Sequence, residues 1–314
     1  MNKKLALISI CIPAYNVAKY IHQTISCLLL QTYEHIEILI VDDGSNDDTG
    51  AIISSIKDER IKKFTIPNSG ASAARNYAFD KASGEIIIFF DADDYVLPHF
   101  ISTQYDLLKK DLNAVVLSDW GRFYDDDIST FRIEKSQAKI FNFYEWITNY
   151  WYSTNGMTNP GRALMSRSLI EKAGLWNNEL NLNDDFEFFT RVFKNSSKII
   201  FNHSAALFYR SGLVGLSAKR DFGGYTSYHS SILMGITIAL KTYPGDLKVK
   251  KSCANLLQLF VYSAYPSCPE LIQQSEKFII TLGGSDLTYP SGRITNFISK
   301  ILGWKNAKRI RSAI

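Results

Sequence analysis

Asp91-Ala92-Asp93 is the sharpest chemical feature of the chain: two carboxylates one residue apart, directly after an apolar run from Ile86 to Phe90. On a turn leaving a buried strand, both can face one cavity. Hard oxygen ligands suit Mn²⁺ or Mg²⁺, ions that keep water and phosphate oxygens in their remaining positions. Such an ion would neutralise a diphosphate leaving group. The same residues equally suit an Asp-rich turn that caps the next helix. Asp42-Asp43-Gly44-Ser45 ends a second apolar run, where acids accept hydrogen bonds from a base or ribose or simply close a turn. In the stretch from Asn68 to Asn76, Gly70 opens a helix in a way that suits anion approach, and Arg75 can pair with a carboxylate or a phosphate. Asp184-Asp185 precedes the amphipathic segment from Phe186 to Arg191. A carboxylate aimed into a cleft can deprotonate an acceptor hydroxyl; acids at a helix start also serve the helix dipole.

These groups need a scaffold, and the first half of the chain specifies one. Leu5 to Ile12 and Ile36 to Val41 are continuous apolar runs, as expected of strands buried on both faces. Asn16 is placed to cap a helix carrying Val17, Tyr20, Ile21, Ile25, Leu28 and Leu29. Helices are expected at Thr49–Ile56 and Ser72–Ala82 and after Pro98, with strands at Ile61–Ile66, Ile86–Phe90 and Ala114–Leu117. Strands alternating with helices at this spacing imply parallel strands with helices on both faces, and a ligand site beyond the strands' carboxyl ends. Three polar clusters fall there: Pro13 to Asn16, Asp42 to Ser45, and Asp91 to Asp94. The aromatics between Phe141 and Tyr152 read as core, with the wall of a binding site as the alternative.

Composition bounds the rest. The chain has 314 residues, 46% hydrophobic and 21% charged, with a net charge of +4, enough for a full α/β core and too mild to call for nucleic acid. Cys11, Cys27, Cys253 and Cys268 form no C-x-x-C pair and read as buried thiols in a reducing compartment. No signal peptide is expected, and no apolar stretch approaches the roughly 20 residues of a membrane span.

Taken together and in order, Pro13-Ala14-Tyr15-Asn16, Gln31-Thr32-Tyr33, Val41 to Ser45, Gly70 to Asn76 and Asp91-Ala92-Asp93-Asp94 resemble the family-2 glycosyltransferases of the GT-A fold. The likeness continues through Leu164 to Arg167, Gly174-Leu175-Trp176 and Asp184-Asp185, about two-thirds of the chain. It implies a Rossmann-like, mostly parallel sheet flanked by helices, followed by a mainly helical C-terminal region. The catalytic domain would span 1–220 (nucleotide-sugar half about 1–118, acceptor half about 119–220), with helices over 221–314. The resemblance implies inverting transfer from a nucleotide-sugar, UDP-linked by family habit, to a glycan, lipid-linked or small-molecule hydroxyl. Pro13, Ala14, Tyr15, Asn16, Asp42, Asp43, Gly70, Arg75, Asp91 and Ala92 would line the nucleotide-sugar site. Asp93 and Asp91 would hold the metal, and Asp185 would be the base, with Asp184 where Glu is usual. The family often carries a His after the position of Arg210; here Ser211 to Ser217 has none, so Arg210, Ser217 and Lys219 are candidates to cover the diphosphate.

The tail from Arg293 to Arg311 carries Arg293, Lys300, Lys305, Lys308, Arg309 and Arg311 and no acid, beside Ile294, Phe297, Ile298, Ile301, Leu302 and Trp304. Residues 292–314 therefore suit either an anionic membrane surface, at the inner face of a cytoplasmic membrane, or a helix docked on the protein. Rival functions fit less well. A haloacid-dehalogenase-type phosphatase wants Thr or Val where Asp94 stands. A nicotinamide dehydrogenase wants a Gly-rich turn where Pro13 to Asn16 stands, and a sugar nucleotidyltransferase a Gly-rich basic loop there. A non-catalytic or partner-dependent nucleotide-sugar binder remains the alternative.

Overall fold

The computed structural model describes residues 5–134, 140–155, 158–212, 221–289 and 303–313. The chain divides into two compact units: Met1–Tyr144 with Met157–Lys219, and Glu145–Gly156 with Arg220–Ile314.

In the first unit, β1 (Ile8–Ala14), α1 (Ile21–Leu29), β2 (Ile36–Asp42), α2 (Thr49–Ser55), β3 (Ile61–Thr65), α3 (Ala71–Lys81) and β4 (Ile86–Phe89) alternate as the sequence requires. β5 (Tyr95–Val96), α4 (Phe100–Leu108), β6 (Val115–Tyr124), β7 (Asp127–Glu134) and β8 (Ile140–Phe141) follow. Next come α5 (Phe143–Trp146), running on as a π-turn over Ile147–Trp151, then β9 (Ala163–Ser166), α6 (Arg167–Ala173), α7 (Asp184–Asn195) and β10 (Ile199–Arg210). Among the described residues, one ten-stranded sheet runs in the order β3-β2-β1-β4-β9-β6-β10-β5, with β7 on β6 and β8 on β10. β1 to β4 pair in parallel, as does β10 on β6, while β9 joins β4 and β6 antiparallel. All of β2 and β4 is buried, as expected of strands covered on both faces, and the acid inside β2, Glu37, is satisfied there by the Ser9 hydroxyl and the Ser83 N–H.

The carboxyl ends of β1, β2 and β4 point the same way, and Ala14 pairs with Asp42 across two of them. Asn16 does not cap α1, which begins only at Ile21. Its backbone is left-handed (φ 52°), a conformation Asn tolerates but an N-cap does not use. Its Oδ1 accepts the Asn46 N–H at 2.9 Å and its own N–H reaches Ser45 Oγ at 3.0 Å, tying two strand-end loops together. Gly44 turns at φ +71°, where a Cβ would stand 2.9 Å from Asn68 N, so the turn after β2 requires glycine.

The second unit is helical: the end of α5 with its π-turn, α8 (Phe222–Thr242), α9 (Leu247–Ala264), α10 (Pro269–Thr281) and α11 (Trp304–Ala313). Asp221 and Asp246 cap α8 and α9 by accepting the N–H of Gly224 and Val249. Trp146, Ile147 and Trp151 are buried, as core residues would be. Ile294, Phe297, Ile298, Ile301 and Leu302 lie outside the described residues. Trp304 does not stand free: its ring centre lies 4.8 Å from that of Tyr262 and 5.2 Å from that of Tyr265. Lys308 Nζ donates to the carbonyls of Tyr262 (2.6 Å) and Ser263 (3.1 Å), satisfying the end of α9. Among the described residues no helix is long and apolar enough to cross a membrane. All four cysteines are buried and free.

Candidate active site

Two loops shape the side on which the sequence places the nucleotide. Asp43 is buried, and its two carboxylate oxygens accept the N–H groups of Ser69 (2.7 Å) and Gly70 (2.9 Å). It thereby fixes the loop that feeds α3. Asp42 accepts the Ser45 N–H at 3.0 Å. Tyr15 is exposed on the neighbouring loop, while Ala14 is buried in the strand.

The acidic turn after β4 is held from behind. The Thr24 hydroxyl lies 3.0 Å from the Ala92 carbonyl and 2.9 Å from that of Asp94. Arg210 donates its backbone N–H to Asp94 Oδ1 (3.1 Å) and its Nε–H to the Asp93 carbonyl (2.8 Å). Its other guanidinium nitrogens reach Asp126 and Gln23, and its plane lies over the rings of Tyr20 and Phe123. The guanidinium is thus engaged within the protein and braces the turn, beside the place where the sequence nominates it to cover a diphosphate. Ser217 and Lys219 lie outside the described residues.

Crowded acids change the titration of the turn. Burial, then the Asp91 charge, pushes the Asp93 carboxyl up to about 7. Burial, with Asp93 and Asp91 adding to it, raises Asp94 well above the carboxylate range, and Asp94 Oδ2 is a buried oxygen without a hydrogen-bond donor. Excess negative charge, hard oxygens and an unsatisfied carboxylate suit a divalent cation. Among the described residues no three His, Cys, Asp or Glu side chains gather closely enough to form a metal site alone. Asp91 and Asp93 would therefore hold an ion that takes further oxygens from phosphate or water.

Opposite stands the start of α7. Asp184 Oδ2 accepts from Ser72 Oγ (2.9 Å) and from Arg75 Nη1 (2.9 Å), while Arg75 Nη2 donates to Asp91 Oδ1 (2.8 Å). Asp185 Oδ1 accepts the Phe186 N–H at 2.8 Å. Burial, then the Asp184 charge, lifts the Asp185 carboxyl to about 7, against the pull of the Phe186 N–H and Arg75. A carboxyl titrating near neutrality is poised as a general base.

The partners in this arrangement were the part sequence reasoning missed: Ser72, Gln23, Asp126 and the double hydrogen bond of Asn76 to the Trp176 main chain. The spacing of Ser72, Arg75 and Asn76 on one face of α3 was the available signal. His203 pairs with the buried Asp119 at 3.0 Å, a structural role for that histidine.

A family model described as glycosyl transferase family 2 matches residues 9–174, more than half of the chain. The chain belongs to that family. This glycosyltransferase is 29% identical over 259 residues to an uncharacterized glycosyltransferase of Haemophilus influenzae, covering 79% of this chain and 99% of that one. Over 108 residues it is 45% identical to the UDP-Glc:alpha-D-GlcNAc-diphosphoundecaprenol beta-1,3-glucosyltransferase WfaP of Escherichia coli, spanning 33% of this chain and 42% of that one. Among solved structures, it is similar to S. aureus TarS 1-349 in complex with UDP-GlcNAc, with a TM-score of 0.64 at 17% identity, covering 95% of this chain and 92% of that one. The expected GT-A architecture is therefore the fold of this glycosyltransferase.

Proposed function

We propose that this glycosyltransferase moves a sugar from a UDP-linked donor to an acceptor hydroxyl by a single inverting displacement that depends on Mn²⁺ or Mg²⁺. The observation that carries the reading is the facing of two acidic sets, Asp91 to Asp94 and Asp184-Asp185, across one buried arginine. In this reading Asp185 takes the proton of the acceptor hydroxyl as its oxygen attacks the anomeric carbon, and the nucleoside diphosphate leaves toward Asp91 and Asp93. A divalent ion bound by those two carboxylates would supply Lewis-acid neutralisation of the leaving diphosphate. The names of two similar proteins support the substrate class: WfaP takes UDP-Glc and a diphosphoundecaprenol-linked acceptor, and TarS 1-349 was solved with UDP-GlcNAc. A lipid-linked acceptor in cell-surface glycan synthesis fits, with 292–314 near the inner face of the membrane.

The test is calorimetric titration with UDP, dTDP and GDP, each with and without Mn²⁺. Saturable binding of UDP that strengthens about tenfold or more with the metal is expected. UDP binding indifferent to metal would remove the metal dependence, and tight UDP binding without any release of UDP from donors would favour a non-catalytic binder.

The raised carboxyls also set a sign for stability. Asp93 and Asp185 hold protons in the folded state up to about pH 7, whereas an unfolded Asp ionises near pH 3.9. Between those values the folded form binds more protons, so these groups make the metal-free protein less stable as pH rises. Mn²⁺ needs the ionised carboxylates, so its stabilising effect should be larger above that window. Thermal melts are expected to show a greater Mn²⁺-induced rise in Tm at pH 8 than at pH 5.5. Equal rises at both would contradict the assignment of the metal to this turn.

A further inference from the structure

The sequence leaves Arg75 open to a carboxylate or a phosphate; its guanidinium is buried and both terminal nitrogens are taken by carboxylates, Asp91 of the turn and Asp184 of α7. We propose that Arg75 is a positioning residue that sets the base-bearing end of α7 against the donor-side turn, with Asp184 as its strut. The proposal rests on the reading of Asp185 as the base.

Three contacts from one face of α3 converge on the same segment. Ser72, one turn before Arg75, donates to the oxygen of Asp184 that Arg75 also holds. Asn76 accepts the Trp176 N–H at 3.0 Å and donates to the Trp176 carbonyl at 2.9 Å, so the loop before α7 is pinned as a strand neighbour would pin it. The Trp176 ring lies under the Arg75 guanidinium at 4.5 Å and stacks on Phe188, in the second turn of α7, at 4.1 Å. The start of α7 is therefore gripped by its first side chain, by the loop leading to it and by its second turn. Asp184 and Asp185 are consecutive in the helix, so fixing the side chain of one fixes the backbone origin of the other.

Charge explains why an arginine does this. Asp91 and Asp184 belong to opposite sides of the site and would repel across it. One planar cation with two separate N–H donors satisfies both at 2.8 and 2.9 Å, a geometry that an ammonium reproduces poorly. Without it, Asp184 keeps only the Ser72 hydroxyl from α3, and the first turn of α7, with Asp185, shifts away from the charge of Asp91. A misplacement on the order of 1 Å costs about 10²-fold in rate. Arg75 Nε is buried and has no hydrogen-bond partner, so the rival reading is that this N–H reaches the donor.

The test compares the full chain with R75Q, R75K, D184N, R75Q/D184N and D185N. Hydrogen exchange needs no substrate: amides of 180–190 are expected to exchange at least tenfold faster in R75Q, while those of 13–16 and 42–45 keep their rates. Calorimetry with UDP and Mn²⁺ should give R75Q a Kd within threefold of wild type. UDP release from UDP-GlcNAc and UDP-glucose should show kcat lowered about 10²-fold in R75Q with KM little changed, and partial recovery in R75K. R75Q/D184N should be no slower than R75Q, because the two residues act as one device. A UDP Kd raised more than tenfold in R75Q would make Arg75 a donor ligand and overturn the proposal. So would losses in R75Q and D184N that multiply in the double variant, or unchanged exchange over 180–190. If R75Q does not fold, D184N decides: kcat about tenfold lower with unchanged UDP affinity is expected, and unchanged kcat overturns the proposal. Wild-type kcat in D185N would instead remove the base reading, whatever Arg75 does.

Discussion

Asp185→Asn is expected to lower turnover by about 10²-fold or more and to leave UDP affinity within threefold. The amide keeps the shape of the carboxyl and an oxygen for the Phe186 N–H, which Asp185 Oδ1 accepts in the native chain. What it loses is the ability to take a proton from the attacking hydroxyl. The wild-type enzyme has a further signature. With the Asp185 carboxyl pushed up to about 7 by burial and the Asp184 charge, the active, ionised form gains population as pH rises. At saturating Mn²⁺, which holds Asp93 ionised, the profile of kcat/KM against pH should therefore climb through about 7 and flatten above it, and Asp185→Asn should lose that limb. Steady-state rates of the two proteins from pH 5.5 to 8.5 check both statements. A variant that transfers at near wild-type rate would place the base elsewhere.

Asp93→Ala should abolish the metal-dependent part of nucleotide binding: its UDP affinity with Mn²⁺ should equal that without. In the proposed reading one of two carboxylate ligands is lost, and no third protein ligand is grouped there among the described residues. The same substitution should not destabilise the metal-free protein. It removes a carboxyl that desolvation and the Asp91 charge already hold protonated up to about 7, so at pH 8 a self-repelling charge disappears. A metal-free Tm at pH 8 equal to or above that of wild type, combined with lost Mn²⁺ enhancement, is the expected pair. Retained enhancement would show that the ion does not use Asp93.

The places of these acidic turns were legible in part because of where burial is complete. β2 and β4 are buried at every position and apolar at all but Glu37 and the terminal Asp42, and such runs announce their own carboxyl ends. The three polar clusters could be placed from that alone. β6 was read as ending near Leu117, yet it continues to Tyr124 through Ser118-Asp119-Trp120-Gly121-Arg122. Ser118 and Asp119 are buried there, and Asp119 is satisfied by His203, 84 residues away, a pairing that no local period shows. β10 carries a register shift between Asn202 and Ala206, which also hides its pattern. The carboxylate partners of Arg75 and Arg210 lie 109 and 84 residues away in the chain, Asp184 and Asp126 respectively. Spacing could nominate both arginines for the site but could not tell a brace from a ligand.

The two hydrogen bonds that Asp43 accepts from Ser69 and Gly70 bear on any attempt to retune which nucleotide the enzyme prefers. An amide at position 43 offers one acceptor where two are used, and turns an N–H toward another N–H. Asp43→Asn would therefore disturb the loop into α3 before it altered recognition of a base, and the result would read as lost affinity for every nucleotide alike. In the proposed reading, selectivity is better sought at Tyr15, which is 47% exposed on the adjoining loop. A library anchored on Asp43 and varied at Tyr15 keeps the scaffold while sampling the contact surface.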